Sequence, residues 1–390
     1  MDIDRLKDNE VQQWIEENSQ ENIHDIAFKK SPFKDISMRD LLQQIQGRNI
    51  IKKKIPTLYQ KGILYPPKSN LEQTSSEPTA THKLSIVEGK SIIDITGGLG
   101  VDCIAFANKF EEVTHIEQNK ELQAIAASNF QSLGLENITS IATNGIDHLK
   151  QTNKVWDVLY LDPSRRDDAK NRVFLLEEMT PNLLEHLSLI TTKAQQILIK
   201  ISPLIDISYL LQILHNISEI QVVALKNEVK EILVKIEKSN SSNTKIIAVN
   251  LESDQTHFEF QIDEINNVTS PLGKIGKYLY EPNAAIQKSG GNEILGMDFN
   301  MKKLHQNTQL FTSDELHKNY PGRVFEVGEK VKNPKKELKN QSIMAIHRNF
   351  PENLVSLRKK YKFTTDGLLP VLFTRNLDQI IIQRMTFVKL

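Results

Sequence analysis

Acidic residues close a series of short apolar runs in the first half of the chain. Asp94 ends SIID, Glu117 ends VTHIE, Asp147 lies in TNGID, and Asp162 follows WDVLYL. Asp94 is followed by ITGGLG, in which Gly97, Gly98 and Gly100 precede Asp102. Glycines at such a turn let the main chain approach a ligand closely and adopt conformations closed to other residues. A carboxylate at Glu117 suits the two hydroxyls of a ribose, and Asn144 or Asp147 suits an adenine edge. Asp162 and Pro163 then stand at the mouth of the same crevice.

Those positions make sense only if each apolar run is a strand in one sheet. From about residue 84 to 238, β-rich runs alternate with amphipathic helical stretches: SIIDIT with CIAFANKF, VTHIE with KELQAIAASNFQSL, ITSIAT with GIDHLK, WDVLYL with FLLEEMTPNLLEHLSLI, and QQILIKI with ISYLLQILHNI. Strands separated by helices imply βαβ units and a mostly parallel, doubly wound sheet. Ligands of such sheets bind beyond the carboxyl ends of the strands, where the strand order reverses. VVALKNEVKEILVKIE holds two β-like runs too close together for anything but an antiparallel hairpin. Upstream, residues 1–83 are expected to be a helical region followed by the connector YPPKSNLEQTSSEPTATHK. Residues 239–318 are expected to carry IIAVNL and HFEFQI as strands, with KYLYEPNAAIQKSGG as a helix stopped by its glycines. Residues 319–390 are expected to be a small α+β domain ending in the strand QIIIQRMTFVKL.

A nicotinamide dinucleotide shares the glycine turn and the ribose carboxylate, but its G-x-G-x-x-G fingerprint needs a third glycine where this chain has Cys103. It also has no use for Asp-Pro after the fourth strand. Asp94 suits an ammonium or sulfonium group better than a pyrophosphate. The cofactor expected is S-adenosyl-L-methionine.

DITGGLGVD, IEQNK and YLDP resemble motifs of class I S-adenosylmethionine-dependent methyltransferases. LEQTSSEPTATHK is similar to a bacterial group of them with a THUMP-like C-terminal domain. YLYEPNAAIQKSGG resembles the small ferredoxin-like insert of that group, and the residues from about 320 resemble its THUMP-like domain. The glycine-turn and Asp-Pro motifs also resemble a bacterial enzyme that methylates a guanine amino group of ribosomal RNA. The fold implied is a doubly wound, mostly parallel Rossmann-like methyltransferase sheet with the flanking regions above. Carried over residue by residue, the resemblance implies that Asp94, Gly97, Gly98 and Gly100 hold the methionine side of the cofactor. Glu117 then binds the ribose and Asn144 or Asp147 the adenine, with Thr96, Asp102 and Gln118 in the same cofactor-binding set. Gln73, Ser75 and Ser76 lie in a segment that related folds bring back over the methionine end. Asp162, held by Pro163, stands beside the methyl group.

Enzymes that methylate base amino groups usually follow this acid with Pro-Pro and an aromatic, whereas here the tetrapeptide is Asp-Pro-Ser-Arg. Arg165 or Arg166 is the residue left to stack on a base or clamp a phosphate. Cys103, the only cysteine among 390 residues, is expected to be a packing residue. A single cysteine fits a reducing compartment, and no apolar run reaches the length of a membrane span, so a cytoplasmic location is expected. The histidines show no ligand spacing, so no metal is expected.

Formal net charge is zero, yet from Lys318 onward there are 15 Lys plus Arg against 6 Asp plus Glu. A basic tail on an acidic body suits nucleic acid, with Lys332, Lys335 and Lys336 as candidate contacts. The expected substrate is RNA, either tRNA or rRNA. The alternatives are a methyltransferase acting on a protein or small molecule, and a non-catalytic RNA-binding protein with a vestigial methyltransferase core.

Overall fold

The structure is a computed structural model that describes residues 2–165, 175–238 and 243–388. The chain forms two compact units: Met1–Ser218 with Glu231–Ser241, and Glu219–Lys230 with Ser242–Leu390.

The first unit opens with helices α1 (Ile3–Leu6), α2 (Asn9–Asn18), α3 (Ile23–Ala27) and α4 (Met38–Lys54). The connector is not irregular throughout, because it holds α5 (Lys68–Gln73) and α6 (Glu77–Lys83). Its prolines do not prevent this: Pro67 caps α5 and Pro78 sits in the first turn of α6, where a missing N–H costs nothing.

Strands and helices then alternate: β1 (Ser91–Asp94), α7 (Val101–Phe106), β2 (Glu112–Glu117), α8 (Lys120–Ser132), β3 (Ile138–Ala142), α9 (Gly145–Gln151) and β4 (Trp156–Leu161). Two short strands, β5 (Ser164–Arg165) and β6 (Met179–Thr180), pair with each other. They precede α10 (Leu183–Lys193), β7 (Ala194–Ile201) and α11 (Ile207–Ile213). The long helix expected over FLLEEMTPNLLEHLSLI begins only at Leu183, capped by Asn182. Pro181 accounts for the delay, since a proline inside the helix would remove a donor and clash with the preceding turn.

Within this unit the strand order is β9-β7-β4-β1-β2-β3, with β9 (Glu228–Glu237) antiparallel to β7 and the other pairs parallel. The chain winds outward from β1 to β3, then crosses back to place β4 on the other side of β1. The order therefore reverses at β1. Ile92, Ile93, Val113, Ile116, Val158 and Leu159 have no exposed surface, as expected of a sheet covered on both faces.

The second unit contains β8 (Ile217–Leu225, from Glu219), which pairs in parallel with β10 (Lys245–Leu251), itself antiparallel to β11 (Phe258–Gln261). Lys226 and Asn227, with φ of 51° and 67°, make the two-residue turn that follows β8. A seven-stranded sheet has the order β13-β14-β12-β15-β18-β17-β16. Its strands are β12 (Tyr278–Pro282), β13 (Lys302–Lys303), β14 (Phe311–Ser313), β15 (Gly322–Lys330), β16 (Met344–His347), β17 (Pro370–Asn376) and β18 (Gln379–Phe387). Strands on both sides of residue 318 thus share one sheet.

Its helices are α12 (Ala284–Ser289), α13 (Asn292–Asp298), α14 (Pro334–Glu337) and α15 (Leu354–Tyr361). KYLYEPNAAIQKSGG is therefore a strand followed by a helix: Tyr278, Leu279 and Tyr280 form a β-favouring run, and Asn283 caps α12 after Pro282. Along β17, Leu372 packs into one apolar cluster with Leu279, Phe325 and Met385. Its neighbours Val371 and Phe373 pack into the other, with Leu357 and Ile382.

Candidate active site

The strand-end residues of the first unit converge where the strand order reverses. Asp94 ends β1 with 2% of its surface exposed. Its Oδ1 accepts hydrogen bonds from the Thr96 N–H at 2.9 Å and the Thr96 hydroxyl at 3.1 Å. The Thr96 oxygen in turn accepts the Asp162 N–H at 2.7 Å. One threonine therefore couples the end of β1 to the residue that follows β4. Burial, together with the nearby carboxylates of Asp102 and Asp162, pushes the Asp94 pKa up to about 7 against the hydrogen bonds from Thr96.

The three glycines of the turn do different work. A Cβ on Gly97 would lie 2.3 Å from the buried His115 ring, and one on Gly100 would lie 2.2 Å from Phe130. Gly98 has φ of 56°, and a Cβ there would meet only the Thr96 carbonyl oxygen, at 3.9 Å. Gly97 and Gly100 are thus needed for packing, and Gly98 supplies the accessible left-handed main chain. The Gly98 N–H donates to Glu117 Oε2 at 2.9 Å, and the Asn119 N–H donates to Oε1 at 2.7 Å. These bonds fix the Glu117 carboxylate, half-buried at the end of β2, with lone pairs to spare.

His115 joins this frame from below. Its ring nitrogens lie 2.9 Å from Ser140 Oγ and 3.2 Å from the Gly98 carbonyl oxygen. Burial lowers its pKa to about 4, so the ring is neutral at pH 7.

Asn144 is exposed and caps α9 by accepting from the Ile146 and Asp147 N–H groups, at 3.0 and 3.2 Å. Its amide donates to Gln118 Oε1 at 3.3 Å, bringing these two predicted residues together. Asp147 is exposed and lies 3.8 Å from Lys150. Between them, Gly145 packs so tightly that a Cβ would lie 2.3 Å from the Ile95 carbonyl oxygen.

Asp102 occupies a different place. It is buried, and its Oδ2 accepts from the Ser75 hydroxyl and from the Tyr160 hydroxyl, each at 2.9 Å. Its Oδ1 lies 3.1 Å from the Lys83 ammonium, which also lies 2.8 Å from Glu231 Oε1. Burial alone would raise the Asp102 pKa, but Lys83, Lys200, Tyr160 and Ser75 outweigh it and hold the group below its ordinary range. Burial wins at Glu231, whose pKa is raised. Ser75 thus binds the frame through Asp102. Gln73 is exposed at the end of α5, and the Ser76 hydroxyl pairs with Thr79 at 3.1 Å.

Beside Asp162 stands Lys200, penultimate in β7, whose ammonium pairs with Asp162 Oδ2. Burial works to lower the Lys200 pKa, and the carboxylates of Asp162, Asp102 and Glu231 more than reverse it, so it is raised. Pro163 is buried. Cys103 is fully buried, its thiol pushed well above the ordinary range by burial, which suits packing and not nucleophilic attack. Arg166 and the Arg165 side chain lie outside the described residues. Lys332, Lys335 and Lys336 are exposed in the second unit, the latter two on α14. Among the described residues no group of three His, Cys, Asp or Glu side chains is placed to hold a metal ion, and no helix is long and apolar enough to cross a membrane.

Lys83, Lys200 and Glu231 are not among the residues that the sequence motifs mark. For Lys200 a signal lies in QQILIKI, where a charge sits inside an apolar strand run and a strand buried on both faces has no solvent to receive it. Glu231 precedes its apolar run and Lys83 lies on a helix, so neither carries that signal.

Residues 89–239 match a sequence family described as RNA cap guanine-N2 methyltransferase, and residues 278–321 match a ferredoxin-like domain. The first of these matches spans less than half of the chain and lies mostly within the first unit. A crystal structure with a provisional methyltransferase assignment, from Porphyromonas gingivalis W83, is similar over 97% of both chains, with 27% identity and a TM-score of 0.86. An uncharacterized RNA methyltransferase of Mycoplasma mobile is 26% identical over 99 residues, which is 25% of this chain. That match spans 27% of the relative's length. The expected mixed α/β architecture with a large parallel-rich sheet is therefore present, alongside a second sheet in a ferredoxin-like C-terminal region.

Proposed function

We propose that the chain is an S-adenosylmethionine-dependent methyltransferase that modifies a base of RNA. The observation that carries the reading is the Gly98–Glu117 pair: an open left-handed main chain bonded to a carboxylate fixed at the next strand end. That cradle fits a nucleoside whose ribose hydroxyls reach Glu117 and whose base lies near Gln118 and Asn144. Asp94 lies too deep to serve as an open contact; it holds the turn through Thr96. When bound, the cofactor supplies an electrophilic methyl group on a sulfonium.

The chain's own task is then to position a nucleophile and exclude water. Asp162 is fixed at its main chain by Thr96 and at its carboxylate by Lys200. A carboxylate paired with a lysine suits accepting a hydrogen bond from an exocyclic amino group and orienting its lone pair, more than removing a proton before transfer. RNA as the substrate is supported by the named relative and by the basic charge from Lys318 onward.

Calorimetric titration with S-adenosylhomocysteine tests the cofactor, with saturable binding lost in Glu117→Ala as the expected result. Mass spectrometry of RNA nucleosides from cells with and without the gene tests the substrate. No loss of any methylated nucleoside, with the cofactor still bound, would turn the reading toward a protein or small-molecule acceptor.

A further inference from the structure

The second unit holds a pocket of about 430 Å³ lined by Asn227, Glu281, Gln287, Lys288, Arg323 and Arg348, with Pro282 and Ala284. Glu281, on β12, is 2% exposed, and both its oxygens are taken by arginines. Arg323, its cross-strand partner on β15, donates from Nε to Oε2 at 2.9 Å and places Nη2 on the same oxygen. Arg348, beyond the end of β16, donates from Nε to Oε1 at 2.7 Å and sets Nη2 2.6 Å from it.

One carboxylate satisfies one guanidinium through two parallel bonds. Here it holds two, side by side, and both stay accessible, with 36% and 41% of their side chains exposed. With Lys288 the lining carries three cations against one anion. A cross-strand ion pair made only for stability would need Arg323 alone. Arg348 comes from a separate element, and its Nη1 is anchored on the His347 carbonyl oxygen at 2.8 Å. The remaining wall is also fixed, by Gln287 Nε2 on the Pro282 carbonyl at 2.7 Å and by the Ala284 N–H on Asn227 Oδ1 at 2.8 Å. Two oriented guanidiniums and an ammonium are the donor set for a phosphate. The volume falls within the range of small-molecule sites and exceeds what a bare oxyanion fills.

We propose that this pocket binds the phosphate of a nucleotide unit. The phosphate comes either from a free mononucleotide or from a single-stranded RNA chain, and only the second source rests on the RNA reading above. The test titrates the full chain with inorganic phosphate, a mononucleotide and a fluorescent single-stranded oligoribonucleotide, each at two salt concentrations. The same titrations are run on Arg348→Gln, Arg348→Lys and Lys288→Gln, with S-adenosylhomocysteine binding as an independent readout of the first unit. The expected result is saturable binding of the mononucleotide or the oligoribonucleotide, weakened about tenfold by Arg348→Gln and partly restored by Arg348→Lys. Binding that favours the oligoribonucleotide and falls steeply with salt names the polymer as the source. Lys288→Gln, on the surface of a short helix, gives the same direction of change should Arg348→Gln fail to fold. Binding of inorganic phosphate alone, of no probe at all, or with equal affinity in every variant would overturn the proposal and leave an ion triad that only joins β12 to β15 and to the segment after β16. Loss of S-adenosylhomocysteine binding with the phosphate result intact would instead overturn the cofactor reading.

Discussion

Lys200 pairs with Asp162 across the ends of β7 and β4, so the candidate catalytic carboxylate is already neutralised by a half-buried cation. Around Lys200 stand Asp102 and Glu231 as well, and the same cation offsets all three carboxylates. Replacing it with an apolar side chain of similar length removes that compensation without creating a large cavity. Lys200→Met is expected to lower methyl transfer by about a hundredfold, on the scale of a lost general acid–base or orienting group. S-adenosylhomocysteine affinity should change by less than about threefold, since charge-assisted bonds to the cofactor itself are untouched. Single-turnover kinetics beside calorimetry checks this, and unchanged kinetics in Lys200→Met would remove the lysine from the mechanism.

Lys83 makes a second buried junction, with no exposed surface and two carboxylate partners from distant parts of the chain. Breaking such a pair from one side leaves uncompensated buried charge and costs about 3–5 kcal/mol. Lys83→Met is expected to lose that much in urea unfolding. Adding Glu231→Leu should recover part of the loss, because one of the stranded carboxylates is then gone. A double variant no more stable than the single one would show that the cost lies in packing.

Much of the first unit was legible from its sequence because each local choice agreed with the whole. The apolar runs are strands, the intervening segments are helices, and Asp94, Thr96, Gly98, Glu117 and Asp162 do meet. What could not be read was the partner of each charge. Asp102 looks from its spacing like a ligand-facing residue, and only the fold brings Ser75, Lys83 and Tyr160 onto it. Likewise Gly97 and Gly98 are neighbours of identical type, and nothing local says that His115 lies behind one and open space beside the other. In the second unit the aromatic run of KYLYEP favours a strand, and the helical stretch directly after it masks that signal.

The glycines give a sharp contrast to measure. Gly97→Ala forces a buried ring to move and is expected to destabilise the protein by several kcal/mol, on the scale of about 1–3 kcal/mol for core overpacking with backbone adjustment added. Gly98→Ala meets no obstacle except its positive φ, worth about 1–2 kcal/mol. It should fold and yet bind S-adenosylhomocysteine much more weakly than the parent. Thermal melts and calorimetry on the two variants separate the effects; equal ligand affinity in Gly98→Ala and the parent would move the cofactor away from this turn.

His115 and Asp94 titrate in opposite senses, so their contributions to stability cancel over much of the acid range. His115 has its pKa lowered to about 4 by burial, against about 6.5 in the unfolded chain. Between those values the unfolded state binds the extra proton, so this stability is present above the unfolded pKa and is lost as pH falls to about 4, on the order of 3 kcal/mol. Asp94 has its pKa raised to about 7 by burial, against about 3.9 unfolded. Here the folded state binds the extra proton, so its contribution is present at low pH and is lost as pH rises toward 7. The parent should therefore show a shallow profile from pH 4 to 6.5. Removing one group exposes the other: the stability gap between parent and His115→Gln should shrink as pH falls, while that between parent and Asp94→Asn should widen. Urea midpoints at half-unit pH steps read both slopes. Parallel profiles for all three proteins would mean that neither group is buried in the state assigned to it, and would remove the ring of His115 and the carboxylate of Asp94 as the fixed floor beneath Gly98 and Thr96.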